Sequence, residues 1–486
     1  MRERGTAMND GGARAADRLD PSVWKVSAVA VLGSLLAQLD ATIVNVSLSR
    51  LATDLHAPLS VIQWVTSGYL LALTLVLPLN GWLVDRIGAK ALYLWCFSAF
   101  TLSSALCAFA WSAPSLIAFR VLQGVSGGLL APMAQMMIAR VAGKQMARVV
   151  GYAAVPVLIA PILGPVIAGA LLQHASWRWL FLVNLPVGAL ALVLAARFLP
   201  SDRDDTLRRE LDWLGLALLS PGLVLFLYGA ERIGLGVGVG VAAIAASVAL
   251  LAAFLRVQRR KGAHALIDLR LFRGKVFSAA AATQFVSNGA LYAGQMLIPV
   301  FLIDACGRSP GEMGWLLAPP GLGMLVTYPS MGALTSRFGV RRVSAGGALL
   351  ALLATLPFVW LAGRGLDLAV LMPALFLRGM GQSAVGTPSL TAAYASIDRR
   401  DLPMATTSLN IVQRLGGPVF TTLCSLFLAW QLQSAPAGDA GALAYASAFA
   451  LLCALHALTF VMSLRLPLWS DTASRQAAGS APAESR

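Results

Sequence analysis

Apolar stretches close to 20 residues long recur from residue 26 to residue 466, and few of them contain a charge. A run of that length crosses the ~30 Å hydrocarbon layer as a helix, whose backbone groups bond one another where water cannot reach. The runs lie near 26–49, 61–80, 90–111, 114–138, 147–172, 179–198, 211–230, 234–256, 277–303, 313–334, 342–362, 368–391, 404–430 and 441–466. An all-α integral membrane protein with fourteen spans is the expectation they set. Composition agrees: 58% hydrophobic against 12% charged residues is more apolar surface than one soluble core can bury.

Charge then sets the orientation. Of 37 Lys and Arg, 29 fall in the two tails and in the loops on one side, whereas only Arg50, Arg178, Arg232, Arg308 and Arg364 fall on the other. The positive-inside rule therefore places both termini in the cytoplasm. Residues 1–22 are polar and precede a full-length span, so no cleaved leader is expected. The net charge of +15 is scattered over short loops rather than gathered on one face, which argues for lipid contact and against nucleic acid. The five cysteines show no metal spacing, and a disulfide framework is not expected. Four histidines without a zinc-type pair, and no phosphate-binding glycine loop, leave neither a hydrolase nor a fused ATPase legible.

One acid stands apart. Asp40 lies deep in the first run, where an ionised carboxylate costs several kcal/mol, and such a residue reads as functional. Arg120, Arg378 and Arg414 are the cations within later runs. Counted from the span ends at ~1.5 Å per residue, Asp40 and Arg120 reach comparable depths. A buried acid is cheap when neutral and needs a cation when charged, so access of water and substrate can decide its state. For Arg378 and Arg414, packing or snorkelling to the surface competes with substrate contact.

The chain also repeats itself. Gly81-Trp82-Leu83-Val84-Asp85-Arg86-Ile87-Gly88-Ala89-Lys90 returns in degraded form from Gly332 to Arg341, and Phe119-Arg120 returns as Leu377-Arg378. Two six-helix halves related by duplication are a transporter architecture, with the working site between them. The expected organisation is a cytoplasmic tail 1–23, a first half 24–198, two inserted helices with flanking loops over 199–276, a second half 277–466 and a solvated tail 467–486.

The segment Gly81 to Lys90 resembles the loop signature of the major facilitator superfamily. Three further segments are similar to motifs of its fourteen-span drug:proton antiporters, of the QacA/EmrB type: Leu39-Asp40-Ala41-Thr42-Ile43-Val44-Asn45-Val46, Arg120-Val121-Leu122-Gln123-Gly124, and Ala160 to Gly169. The hairpin Trp177 to Pro186 matches as well, and Ala160, Ala168, Ala89 and Ser336 depart from the usual residues. The resemblance implies a major facilitator fold that exports lipophilic, neutral or monocationic small molecules from a bacterial inner membrane in exchange for protons. No cofactor is implied beyond the proton. Membrane lipid is a partner, and a periplasmic adaptor stays open. Asp40, with Arg120 beside it, is the expected proton-coupling pair; Asp85 and Arg86, set among Gly81, Gly88 and Lys90, form a candidate cytoplasmic latch, with a solvated turn as the alternative; and Pro161, Gly164, Pro165 and Gly169 let the fifth span bend and seal. Gln284, Asn288, Tyr292 and Gln295 share one helical face in the ninth run. In the resembled fold that helix lines the central cavity, which makes the stripe substrate-contacting, with interhelical bonding as the alternative. Asn410 and Gln413 carry a weaker form of the same reading. An importer of the same superfamily is the nearest rival, separable by the direction of proton flux.

Overall fold

The computed structural model describes residues 21–142, 145–200, 210–233, 237–261, 265–308, 312–398, 400–434 and 440–469. Both expected tails lie largely outside these, as does most of the loop before the seventh run. Helices account for nearly all of the rest: α1 (Pro21–Asp54), α2 (Trp64–Val76), α3 (Asn80–Ile87), α4 (Ala89–Ala108), α5 (Ala113–Ala142), α6 (Met146–His174) and α7 (Asn184–Phe198) form the first group. α8 (Trp213–Ile233) and α9 (Val237–Lys261) follow as a hairpin. The last group is α10 (Lys275–Val300), α11 (Ala318–Thr327), α12 (Met331–Phe338), α13 (Val340–Arg364), α14 (Leu368–Ala395), α15 (Leu402–Ser434) and α16 (Ala440–Ser463).

Among the described residues, 12 helices are long and apolar enough to cross a membrane, so the chain is a multi-pass membrane protein. The fifth and tenth expected runs are not among those 12. The fifth coincides with α6, a continuous helix that keeps three prolines; the tenth is divided into a short helix Met313–Leu316, α11, a 3₁₀ turn Tyr328–Ser330 and α12. Pro319, Pro320 and Pro329 explain the division, since each removes a backbone donor and restricts the residue before it.

The repeat is visible as geometry. Gly88 (φ 83°) ends α3 and Gly339 (φ 82°) ends α12, each donating its N–H at 2.9 Å, to Val84 O and Thr335 O respectively. Only glycine takes that left-handed turn without strain. Lys90 Nζ then donates to the carbonyls of Ala196 (2.9 Å) and Leu199 (2.7 Å) at the end of α7, and its counterpart Arg341 donates from Nε to Leu466 O (2.6 Å) just past α16. Each cation thus caps the unpaired carbonyls of the last helix in its own group. The end of the bundle carrying these turns is called the near end below, and the opposite one the far end.

The α8–α9 hairpin packs across the seam between α2 and α15. Leu219, Leu223 and Phe254 bury against Leu77 on one side and Ile411 on the other. Ser220 Oγ donates to Leu75 O (2.8 Å), and Tyr228 stacks on Trp64 with ring centroids 6.4 Å apart. At its near end Asp212 closes the hairpin, accepting from Gln258 Nε2 (2.8 Å), Gly215 N (2.8 Å), Leu266 N (3.3 Å) and Lys261 Nζ. Burial pushes the Asp212 carboxyl up, but the bonds from Lys261, Gly215 and Gln258 together outweigh it and hold the group below the usual carboxylate range.

Candidate functional site

Asp40 is fully buried, and side chains of α5 and α7 reach its carboxylate. Arg120 Nη1, from α5, donates to Asp40 Oδ2 at 2.5 Å. Oδ1 accepts from Asn184 Nδ2 of α7 (2.8 Å) and from Gln123 Nε2 of α5 (3.2 Å). Three donors, one of them charged, form a cradle for a carboxylate rather than for a neutral acid. Charge-assisted bonds of this kind offset the cost of taking both ions out of water.

Arg120 is held independently of Asp40. Nη1 also donates to Gln123 Oε1 (2.7 Å), Nε donates to Val65 O of α2 (3.2 Å), and the guanidinium lies over the Tyr69 ring at 4.2 Å. Its Nη2 has no partner among the described residues. The Tyr69 hydroxyl, likewise buried, has none among them either. Behind the cradle, Asn184 Nδ2 also bonds Ser104 Oγ (3.0 Å), which donates to Phe181 O (3.0 Å). Asn184 opens α7 and Pro186 sits in its first turn, where the missing N–H costs nothing.

α6 reaches the same region. Ala160 and Ala168 are fully buried, and a Cβ added to Gly164 would collide with Thr42, two residues beyond Asp40. Small side chains let α6 approach α1 closely there. Gly169, by contrast, has nothing within 4 Å of an added Cβ among the described residues. Pro161 and Pro165 lie within α6, with side chains outside the described set.

Contacts between the two helix groups gather at the near end. A Cβ on Gly81 would meet Met404, Pro403 and Thr407 of α15, and Asn80 Nδ2 donates to Thr407 Oγ1 at 3.2 Å. Gln135 Oε1 accepts from Asn410 Nδ2 (2.9 Å) and from Tyr394 OH (3.0 Å). Gly332 lies against Arg148, and Gly151 against the Tyr328 carbonyl. Asp85 is buried and Arg86 exposed.

The polar face of α10 divides. Gln284 Nε2 donates to Gly386 O (2.7 Å) and Ser389 Oγ (3.0 Å) of α14, and Asn288 donates to Gln284 O (3.0 Å) within its own helix. Tyr292 and Gln295 are exposed, with the Tyr292 ring against Gly417 of α15. Arg378 is buried and donates from Nη2 to Ala290 O (3.0 Å), while its Nε has no partner among the described residues. Gln413 is half-buried, while Arg414 borders a small apolar void beside Leu223, Leu227 and Thr74.

Residues 30–421 match the family model of the Major Facilitator Superfamily. The chain belongs to that superfamily. This major facilitator is 36% identical over 421 residues to a multidrug resistance protein B homolog of Mycobacterium tuberculosis, covering 85% of this chain and 78% of the relative. It is 30% identical over 454 residues to the putative multidrug resistance protein MdtD of Citrobacter koseri, covering 91% and 94%. Solved structures share the fold at low identity. A bacterial homologue of the iron transporter ferroportin in an outward-facing state superposes with a TM-score of 0.64 at 13% identity, covering 90% of this chain and 98% of that one. The human organic anion transporter MFSD10 gives 0.61 at 17%, covering 92% and 100%. These are transporters, and this major facilitator is a carrier rather than an enzyme.

Asp40 and Arg120 were singled out by sequence and meet in space. Gln123, Asn184, Tyr69 and Ser104 were not. Gln123 had a signal, lying one helical turn from Arg120, and Asn184 sat inside the matched hairpin segment; Tyr69 and Ser104 had none.

Proposed function

We propose that this chain exports lipophilic small molecules, neutral or singly cationic, in exchange for protons, as a fourteen-span drug:proton antiporter of a bacterial inner membrane with both termini in the cytoplasm. The near end then faces the cytoplasm. Relatives named for multidrug resistance support the cargo class, and α6 with the segmented run 313–338 would supply the two further spans.

The observation that carries the reading is the sealed carboxylate of Asp40, held by Arg120, Gln123 and Asn184. Protonation from the outer side cancels the ion pair, and Arg120 keeps Val65 O, Gln123 Oε1 and the Tyr69 ring as fallback partners. The site then carries an uncompensated cation, which disfavours a cationic cargo and favours its release. Proton loss toward the cytoplasm restores the pair and the affinity for the next cargo. Each proton moving inward supplies ~2.3 kcal/mol per 100 mV and ~1.4 kcal/mol per pH unit. Gating falls to the near-end contacts around Gly81, Asp85, Arg86, Gly88 and Lys90, and to α6 at Pro161, Gly164, Pro165 and Gly169. Tyr292, Gln295, Gln413 and Arg414 are the substrate contacts best placed to move with α10 and α15; Gln284, Asn288, Arg378 and Asn410 also serve by fixing those helices.

The test is proton flux in energised inside-out vesicles. Adding a transported drug should alkalinise the lumen, and Asp40→Asn should abolish that response while leaving drug counterflow. Acidification on drug addition, or normal coupling in Asp40→Asn at matched expression, would overturn the reading.

A further inference from the structure

At the far end, three connections of the first helix group border an open, solvent-facing cavity of ≈540 Å³ lined by Thr53, Asp54, His56, Trp111, Trp177 and Arg178, of which His56 and Arg178 are exposed. It is separate from the Asp40 site, and its chemistry is mixed. Arg178 lays its guanidinium over the Trp177 indole at 4.6 Å and donates from Nη2 to Ala110 O at 3.3 Å; its other side-chain N–H groups find no partner among the described residues. Asp54 Oδ2 accepts from Arg50 Nε at 3.2 Å, and Oδ1 has no hydrogen-bond partner among the described residues.

His56 is the telling residue. Its φ of 50° is the one positive value outside glycine among the described residues. The chain leaves α1 there in a C-terminal cap, with Ala57 N donating to Ala52 O (3.1 Å) and His56 N to Thr53 O (3.3 Å). Glycine fits that position freely, whereas a side chain costs roughly 1 kcal/mol. The turn therefore does not call for histidine, and the imidazole borders the cavity with no protein partner among the described residues. The cap fixes where the exposed imidazole stands, at the rim of the cavity, where it is open to a ligand.

The level of the cavity narrows the ligand. Trp111 falls between the spans ending at Ala108 and starting at Ala113, and Arg178 directly precedes the span starting at Trp179. Exposed Phe109, Trp111 and Trp179 mark the same level, as rings do at a membrane surface. We propose that this cavity holds the headgroup of a phospholipid that bears both a phosphate and a primary ammonium. The phosphate takes the free guanidinium N–H groups of Arg178 and the His56 imidazole, and the ammonium takes Asp54 Oδ1. Free phosphate shares the first half of that chemistry, but it has no ammonium for Asp54 and no acyl chains for the exposed rings. The site does not depend on the cargo proposed above.

Native mass spectrometry of the full chain, delipidated in detergent and then titrated with single phospholipids, tests it. Phosphatidylethanolamine should be retained over phosphatidylglycerol and phosphatidylcholine. Arg178→Gln and His56→Gly should each weaken retention about tenfold or more, as expected for a lost charged hydrogen bond. Asp54→Asn should erase the preference for ethanolamine while leaving phosphate-dependent binding. His56→Gly relieves the left-handed backbone, so its melting temperature without lipid should hold or rise. Equal retention of all three lipids, retention unchanged in Arg178→Gln, or inorganic phosphate competing as well as the lipid would overturn the proposal. So would a fall in the lipid-free melting temperature of His56→Gly.

Discussion

Two buried ions in one membrane bundle differ in how replaceable their partners are. Asp40 depends on three side chains, whereas Arg120 spreads its bonds over Asp40, Gln123, the Val65 carbonyl and the Tyr69 ring. Lysine keeps the charge but not the planar fork, and a single ammonium cannot reach all four at once. Arg120→Lys is therefore expected to fold, to lose about 1–3 kcal/mol of stability, and to export drug far less well at matched expression; a thermal melt and a susceptibility panel read the two effects. Wild-type resistance in Arg120→Lys would show that charge alone suffices. Asp40 and Arg120 were legible because a lone charge in an apolar run is costly and therefore rare. Tyr69 and Ser104 were not, because neutral polar side chains are ordinary in membrane helices, and only the convergence of α1, α2, α4, α5 and α7 gives them a role.

Helix positions follow from run length, yet how helices meet does not. The face holding Gln284, Asn288, Tyr292 and Gln295 was legible as a face, but periodicity cannot tell a cavity from a neighbouring helix, and Gln284 spends its amide on α14. The docking of α8–α9 was equally hidden, since its partners Leu77 and Ile411 lie in distant parts of the chain. Its closure is testable by acid. Asp212 sits below the usual carboxylate range in the folded state, so its contribution is complete above the unfolded value of ~3.9 and is lost as pH falls through the lower folded value. Asp212→Asn should cost about 1–2 kcal/mol at pH 7, and the gap between the two melting temperatures should narrow progressively as pH falls below ~3.9. A gap that persists at acid pH would locate the effect in packing rather than in the charge.

Over the whole molecule, the two helix groups meet at the near end through Asn80–Thr407, Gln135–Asn410 and Gln135–Tyr394. The alternating access proposed above requires these contacts to part, while the α8–α9 hairpin must stay with one group. Its polar and aromatic ties run to α2, through Ser220–Leu75 and Tyr228–Trp64, and no hydrogen bond from α8 to α15 is present among the described residues. Apolar contact with Ile411 and Leu415 permits sliding, because dispersion and burial have no fixed direction. The hairpin is therefore expected to travel with α2 and to cover the seam as α15 moves past. Paired cysteines separate the alternatives, in a chain whose native Cys96, Cys107, Cys306, Cys424 and Cys453 are replaced. A short bifunctional thiol reagent joining Asn80→Cys to Thr407→Cys should arrest transport until the link is cleaved. Joining Ser220→Cys to Leu75→Cys should leave transport nearly intact, whereas joining Leu223→Cys to Leu415→Cys should stop it. Arrest by the Ser220–Leu75 link together with tolerance of the Leu223–Leu415 link would assign the hairpin to the opposite helix group.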